Sequence, residues 1–261
     1  MASDENRKKD HAQRDIISRI PNWGWLLISF LAAMLLWKWL SVNPTTARSF
    51  PFAPEVLASL GTMIERGVLR QDFSSSMISV VMGFVLGFVT SVPVAFLMAW
   101  YRPVRYIVEP WIQFIRNIPP LAYVPLVVIS AGVGRRPQVI VIWLATFLIM
   151  TVTIYQGVRN VDETLIKAAN LFVKVIFPAT TPFIITAVRL GVSVALTTLI
   201  AAESTGAIAG MGMRIRSLNN TFEVEPMLLY IIMIGIIGIT SEKIIKYLER
   251  RFTGWQETRN V

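Results

Sequence analysis

The chain has 261 residues, of which 54% are hydrophobic and only 16% charged, whereas a soluble domain of this size carries about 25% charged residues. A net charge of +9 would suggest nucleic acid in a soluble protein, but these cations are dispersed at the ends of apolar runs rather than gathered on one face, which excludes that class. The absence of cysteine excludes disulfides, a thiol nucleophile and a cysteine-ligated metal.

Several apolar runs reach the ~20 residues needed to cross about 30 Å of hydrocarbon. A β-barrel would show segments of about ten alternating residues instead, so the expected fold class is all-α, a polytopic membrane protein with about six transmembrane helices. Residues 1–20 are polar and charged and read as a cytoplasmic tail. They lack the apolar core and small-residue cleavage site of a signal peptide, so the first span is expected to be retained. Span 1 covers about Trp23 to Leu40, with Trp23, Trp25, Trp37 and Trp39 as interfacial anchors and Lys38 snorkelling to the surface. In the extramembrane stretch that follows, Val56, Leu57, Leu60, Met63 and Ile64 predict an amphipathic helix over Pro54 to Arg66.

Span 2 covers about Ser75 to Trp100. Its small residues Gly83, Gly87, Ser91 and Ala95 recur at every fourth position, spacing that lets two helix backbones approach closely, either within one subunit or across a dimer. A short basic turn, Tyr101 to Arg105, leads to span 3 at about Trp111 to Val133, interrupted by Pro119, Pro120 and Pro125. Each proline removes a backbone donor, and irregular backbone at membrane depth is tolerated where it is buried in protein or lines a watery cavity. The interruption is therefore either a break beside a pathway or a kink in a packing helix.

Span 4 covers about Gln138 to Val158, span 5 Pro182 to Glu203 and span 6 Pro226 to Tyr247, where Gly235 and Gly238 repeat the small-residue theme. Six spans put both termini on one side. Of the 25 Lys and Arg, the smaller group (Arg48, Arg66, Arg70, Arg135, Arg136, Arg214 and Arg216) lies opposite the tails, so both termini are expected in the cytoplasm. Arg135 and Arg136 sit on the wrong side for this rule. The division expected is a tail at 1–20, a transmembrane permease domain at 21–250 and a tail at 251–261.

Between spans 4 and 5 lies a short polar, basic segment with a helical pattern of its own, Leu165, Ala168 and Ala169 at i, i+3 and i+4, then Phe172. The apolar face of such a cytoplasmic helix needs a partner, expected to be a soluble protein. Within span 5, Arg189, Ser193 and Thr197 repeat at i, i+4 and i+8 on one face. A charge in hydrocarbon usually faces an interior or a cavity. The stripe therefore suits a pathway for a small anion; alternatively, its hydroxyls bond back to their own helix and Arg189 pairs within the protein. Glu203 is expected near the outer end. Gly206, Gly210 and Gly212 with Arg214 and Arg216 form the outer loop between spans 5 and 6, or a flexible hairpin edged by cations.

The pair Ala168-Ala169, the run Ile176-Phe177-Pro178, then Ala202-Glu203 and Gly210-Met211-Gly212, together resemble a permease subunit of a binding-protein-dependent ABC importer. Arg116-Asn-Ile-Pro-Pro-Leu-Ala-Tyr-Val-Pro-Leu126 and Arg251-Phe-Thr-Gly-Trp255 are similar to the branch importing nitrate, bicarbonate, taurine and alkanesulfonates. The resemblance covers roughly residues 55 to 255. It implies the type I importer permease (MetI-like) fold, with two copies forming the pathway and two ABC ATPase subunits gripping the loop at about 158–178. Leu165, Lys167, Ala168, Ala169 and Phe172 would be its docking residues. It also implies a periplasmic or lipid-anchored substrate-binding protein, no cofactor or metal in this chain, ATP and Mg on the ATPase subunit, and residence in a bacterial inner membrane.

Two departures from the family pattern stand out. Lys167 replaces the family's Glu, and the chain from Ala169 to Pro178 is shorter by about eight residues, counted against the helical period. The family's Gly after Ala-Ala is missing too. The segment is thus either a truncated docking loop or one from which a stretch has been lost.

The pathway residues expected are Pro119, Pro120, Arg189, Ser193, Thr197 and Glu203. No Gly-x-x-x-x-Gly-Lys-Ser/Thr occurs, so ATP phosphates are not cradled by that device, and His11 in the tail is not a catalytic candidate. The chain is expected to be non-catalytic. No paired intramembrane carboxylates are evident, which argues against a proton-coupled carrier. A stand-alone carrier would need repeats with matched broken helices, and a scaffold would not need the polar stripe. The runner-up cargo is a vitamin or pyrimidine precursor.

Overall fold

A computed structural model describes residues 21–159 and 177–253. Among the described residues there are nine helices, and the chain divides into two compact units, one ending at Ala58 and the other starting at Ser59.

In the first unit α1 (Asn22–Val42) is a single apolar helix. Its large side chains stay exposed on every side, Leu26, Phe30, Leu31, Leu35 and Trp39 among them, as expected where lipid is the solvent. The chain then folds back. The Trp37 indole donates to the Pro51 carbonyl at 2.9 Å, and Ser41 Oγ donates to the Trp37 carbonyl at 2.9 Å. Next comes α2 (Ala53–Glu65), started by Glu55, whose carboxylate accepts the Phe52 N–H at 3.2 Å in half of a capping box.

The second unit is built on three long helices, α3 (Val68–Trp100), α6 (Arg135–Arg159) and α7 (Phe177–Gly206). α6 lies at the centre, with Val141, Ile142, Met150 and Ile154 fully buried along its length. It runs parallel to α3, since a Cβ on Gly83 would meet Ile142 Cβ at 2.7 Å and one on Gly87 would meet the Phe147 amide at 3.2 Å. The small-residue stripe of α3 therefore faces α6 of the same chain, and Ser91 and Ala95 continue it, both buried. The opposite face of α3 (Ile78, Val81, Met82, Val85, Leu86, Val89) stays exposed. α7 runs antiparallel to α6. Its Phe183 fills the space at Gly157, and Met150 of α6 fills the space at Gly191.

The third span takes the broken form, and its first helix begins earlier than expected. It is two helices, α4 (Arg102–Arg116) and α5 (Pro120–Ala131), bent by 102° at Asn117–Pro119. At 1.5 Å per residue neither alone covers about 30 Å. The expected basic turn at Tyr101 to Arg105 is instead the first turn of α4, where Pro103 is tolerated because the first N–H groups have no intrahelical acceptor. Asn117 closes α4, its Nδ2 donating to the Gln113 carbonyl at 2.8 Å. Pro119 and Pro120 supply no amide to continue the ladder. The pair still carries the chain between the ends of the bundle, because Gly206 at the end of α7 packs against Val128 of α5 and accepts the Gly134 N–H at 2.8 Å. Five further helices, α1, α3, α6, α7 and the last, α9 (Val224–Thr253), are long and apolar enough to cross a membrane.

A second departure lies between α7 and α9. The stretch expected as an outer loop contains α8 (Met211–Thr221), a helix rather than a hairpin.

Candidate functional site

Two cavities flank α7. The larger, about 540 Å³, sits in the elbow between α4 and α5, closed by Ala145 and Leu148 of α6 and Val194 and Thr198 of α7. Arg116, Asn117, Pro120, Tyr123 and Thr197 bring polar and irregular backbone to it. It exists because the prolines stop α4 and re-aim α5, leaving a wedge that no side chain fills. The smaller cavity, about 360 Å³, lies between α7 and α9, lined by Arg189, Ser193 and Thr197 on one side and Gly235, Gly238 and Glu242 on the other. The two glycines leave that wall open, Gly235 having nothing within 4 Å of a would-be Cβ.

The residues of the polar stripe are already engaged. Arg189 pairs with Glu249 of α9. Ser193 Oγ donates to the Arg189 carbonyl at 3.2 Å, and Thr197 Oγ1 to the Val194 carbonyl at 3.0 Å. A hydroxyl that donates to its own helix keeps its lone pairs and can still accept. Ser193 and Thr197 remain exposed, and Thr197 borders both cavities.

Glu203 is elsewhere, in a buried cluster where α3, α7, α8 and α9 meet. Its carboxylate accepts from Ser76 Oγ at 2.7 Å and from the Gly212 N–H at 2.7 Å. Ser76 Oγ accepts the Met211 N–H at 2.8 Å. Asp72, wholly buried, accepts the Gly210 N–H at 3.2 Å, Arg214 Nε at 2.7 Å and the Tyr230 hydroxyl at 2.9 Å. The open amides that begin α8 are thus satisfied by side chains of two other helices, with negative charge at the positive end of the helix dipole. The Asp72 carboxylate in turn holds the Arg214 guanidinium pKa above its ordinary value. Gly210, at φ 144°, turns the chain into α8 with the Glu203 carboxylate against its Cα.

The structure thus joins Arg189, Ser193 and Thr197 at one cavity and Pro120 and Thr197 at the other. Pro119 stands at the break itself, and Glu203 lies apart. Three side chains of the cluster escaped the sequence reading, Asp72, Ser76 and Tyr230. The missing signal was the buried stripe of α3 itself, which extends back from Gly83 through Ser76 to Asp72. Asp72 and Glu203 share the start of α8, an encounter that only folding creates. The expected docking residues Leu165, Lys167, Ala168, Ala169 and Phe172 lie outside the described residues.

Residues 91–254 match the family described as binding-protein-dependent transport system inner membrane component. The chain belongs to that family. This permease is 38% identical to the probable ABC transporter permease protein of Brucella abortus (strain 2308), over 92% of this chain and 98% of that one. It is 30% identical to the taurine transport system permease protein of Escherichia coli (strain K12), over 91% of this chain and 94% of that one, which matches the branch read from the motifs. Its fold is that of the type I importer permeases. A structure of the MetNI methionine ABC transporter in inward-facing conformations is similar with a TM-score of 0.54 at 18% identity, covering 69% of this chain and 95% of that one. The permease is accordingly a non-catalytic, multi-pass membrane subunit of an ABC transporter, and ATP hydrolysis belongs to a separate subunit.

Proposed function

We propose that this permease forms the translocation pathway of an ATP-driven importer for a small anion of the sulfonate, nitrate or bicarbonate type. The observation that carries the reading is the elbow cavity between α4 and α5. A guanidinium (Arg116), an amide (Asn117) and hydroxyls (Tyr123, Thr197, Thr198) surround a space large enough for a small solute. An arginine fork suits an oxyanion, and a small set of polar groups in a largely apolar wall gives orientation. The likeness to a taurine transport permease supports the same class of cargo.

In this reading two copies enclose the pathway, and two ATPase subunits carrying ATP and Mg grip the segment at about 158–178 through Leu165, Lys167, Ala168, Ala169 and Phe172. A substrate-binding protein delivers the anion at the opposite side, and both termini face the cytoplasm. Closure of the ATPase pair draws the loops together and switches access by rigid-body motion. Pro119 and Pro120 hold the cavity open. Arg189, freed from Glu249, meets the anion on its way through.

The test is reconstitution of permease, ATPase and binding protein in proteoliposomes, with uptake of labelled taurine, nitrate and bicarbonate. ATP-dependent uptake of at least one is expected. Arg116→Ala should lower it by roughly tenfold or more, the loss of one charge-assisted hydrogen bond, with assembly unchanged. Uptake by the permease alone would instead make it a stand-alone carrier, and preferred uptake of a neutral pyrimidine would overturn the anion reading.

A further inference from the structure

A third cavity, about 450 Å³, lies away from the pathway candidates, on the flank where α3 and α6 meet the end of α5. Met82, Val139 and Ile140 form its apolar part, Ser130 and Ala131 close it, and Arg135 and Arg136 stand at its rim. Three observations converge on one kind of occupant. Met82 belongs to the exposed apolar stripe of α3, between Ile78 and Leu86, so the cavity opens on a face that suits hydrocarbon. Both arginines are exposed, and among the described residues neither joins an ion pair. Finally, they begin a span, Arg135–Arg159, at the level where an apolar slab gives way to water.

We propose that this cavity binds an anionic phospholipid, its phosphate between Arg135 and Arg136 and the upper part of an acyl chain along Met82, Val139 and Ile140. Two guanidiniums supply the charge and donor geometry for a phosphate. The first amides of α6, which have no intrahelical acceptor, add donors beneath them. The shared chemistry, a phosphate on two arginines, would also suit free phosphate. The lipid is favoured because the apolar half of the cavity has no use for an inorganic ion, and because Met82 joins that half to the exposed apolar stripe of α3. Bound there, the lipid would tie the end of α5 to α3 and α6 and so brace the elbow from behind.

The experiment is native mass spectrometry of the full-length permease released from nanodiscs containing both phosphatidylglycerol and phosphatidylcholine. Preferential retention of phosphatidylglycerol is expected. The double variant R135Q/R136Q should weaken it by roughly tenfold to thirtyfold, from about 1 kcal/mol per basic residue near a lipid surface. M82W, which fills the cavity and leaves both charges in place, should lower retention similarly, and R216Q, a charge change outside the cavity, should leave it intact. Equal retention of both lipids would overturn the proposal, as would loss with R216Q matching that of the double variant. Displacement of the lipid by millimolar inorganic phosphate would assign the site to a soluble anion instead.

Discussion

Gly210 has two separate reasons to lack a side chain. Its φ of 144° is a backbone conformation that L-residues rarely adopt, and the Glu203 carboxylate already occupies the place of a Cβ. Gly210→Ala is therefore expected to cost about 2 kcal/mol, lowering the thermal midpoint in detergent by roughly 5 °C; an unchanged midpoint would show that the cluster yields freely. Asp72 sets a sharper contrast. Asp72→Ala strands the Tyr230 hydroxyl, the Gly210 amide and Arg214, and breaking a largely buried charge pair from one side costs about 3 to 5 kcal/mol. Asp72→Asn keeps one acceptor oxygen and should cost clearly less, and the order of the two midpoints checks the assignment. Glu203 was visible in the sequence as a charge at the end of an apolar run. Its partners were not, because the Ser76 hydroxyl and the Gly212 amide from which it accepts belong to a helix far back in the chain and to one whose start could not be seen.

At the scale of the element, what hydropathy and spacing could say turned on length. α1 and α6 were legible closely, and α3, α7 and α9 as spans that run further at one end than expected, α3 from Val68 rather than Ser75, since long apolar runs have few alternatives. The stripe Gly83, Gly87, Ser91, Ala95 was legible as a packing face. Which helix it faces required the fold. Gly87→Val is expected to destabilise by about 3 kcal/mol, because the obstacle includes the backbone of α6 rather than a movable side-chain tip. Loss of a monodisperse peak in size-exclusion chromatography checks this. α4 was misread because Arg102, Pro103 and Arg105 look like a turn, although proline is welcome at the start of a helix. α8 was misread because glycines precede it and its capping side chains are remote in sequence. The break between α4 and α5 was read from Pro119 and Pro120, but prolines fix the place of a bend and not its angle. Replacing both by Ala should restore the amides and reduce the 102° bend. Spin labels on α4 and α5 should then move apart, and uptake should fall while assembly persists.

For the whole molecule, the order of motifs made the family legible where no single motif would have. The cargo was less legible, because in the proposed reading it rests on a cavity formed by residues from four helices. If the loop at 158–178 is the handle for the ATPase, Ala168→Asp with Ala169→Asp should leave ATP hydrolysis running while uptake falls by an order of magnitude or more. The ratio of phosphate released to substrate taken up measures this directly, and an unchanged ratio would place docking elsewhere.

The close seating of α6 between α3 and α7 has one further consequence. Where a bulky side chain fits the hollow of a glycine, as Phe183 does at Gly157, Met150 at Gly191 and Ile142 at Gly83, there is no slack for sliding. The three helices must move as one rigid body. Alternation between open sides would then be carried by the parts hung on it, the elbow of α4 and α5 and the outer rod α9, while distances measured within the trio stay constant through every stroke.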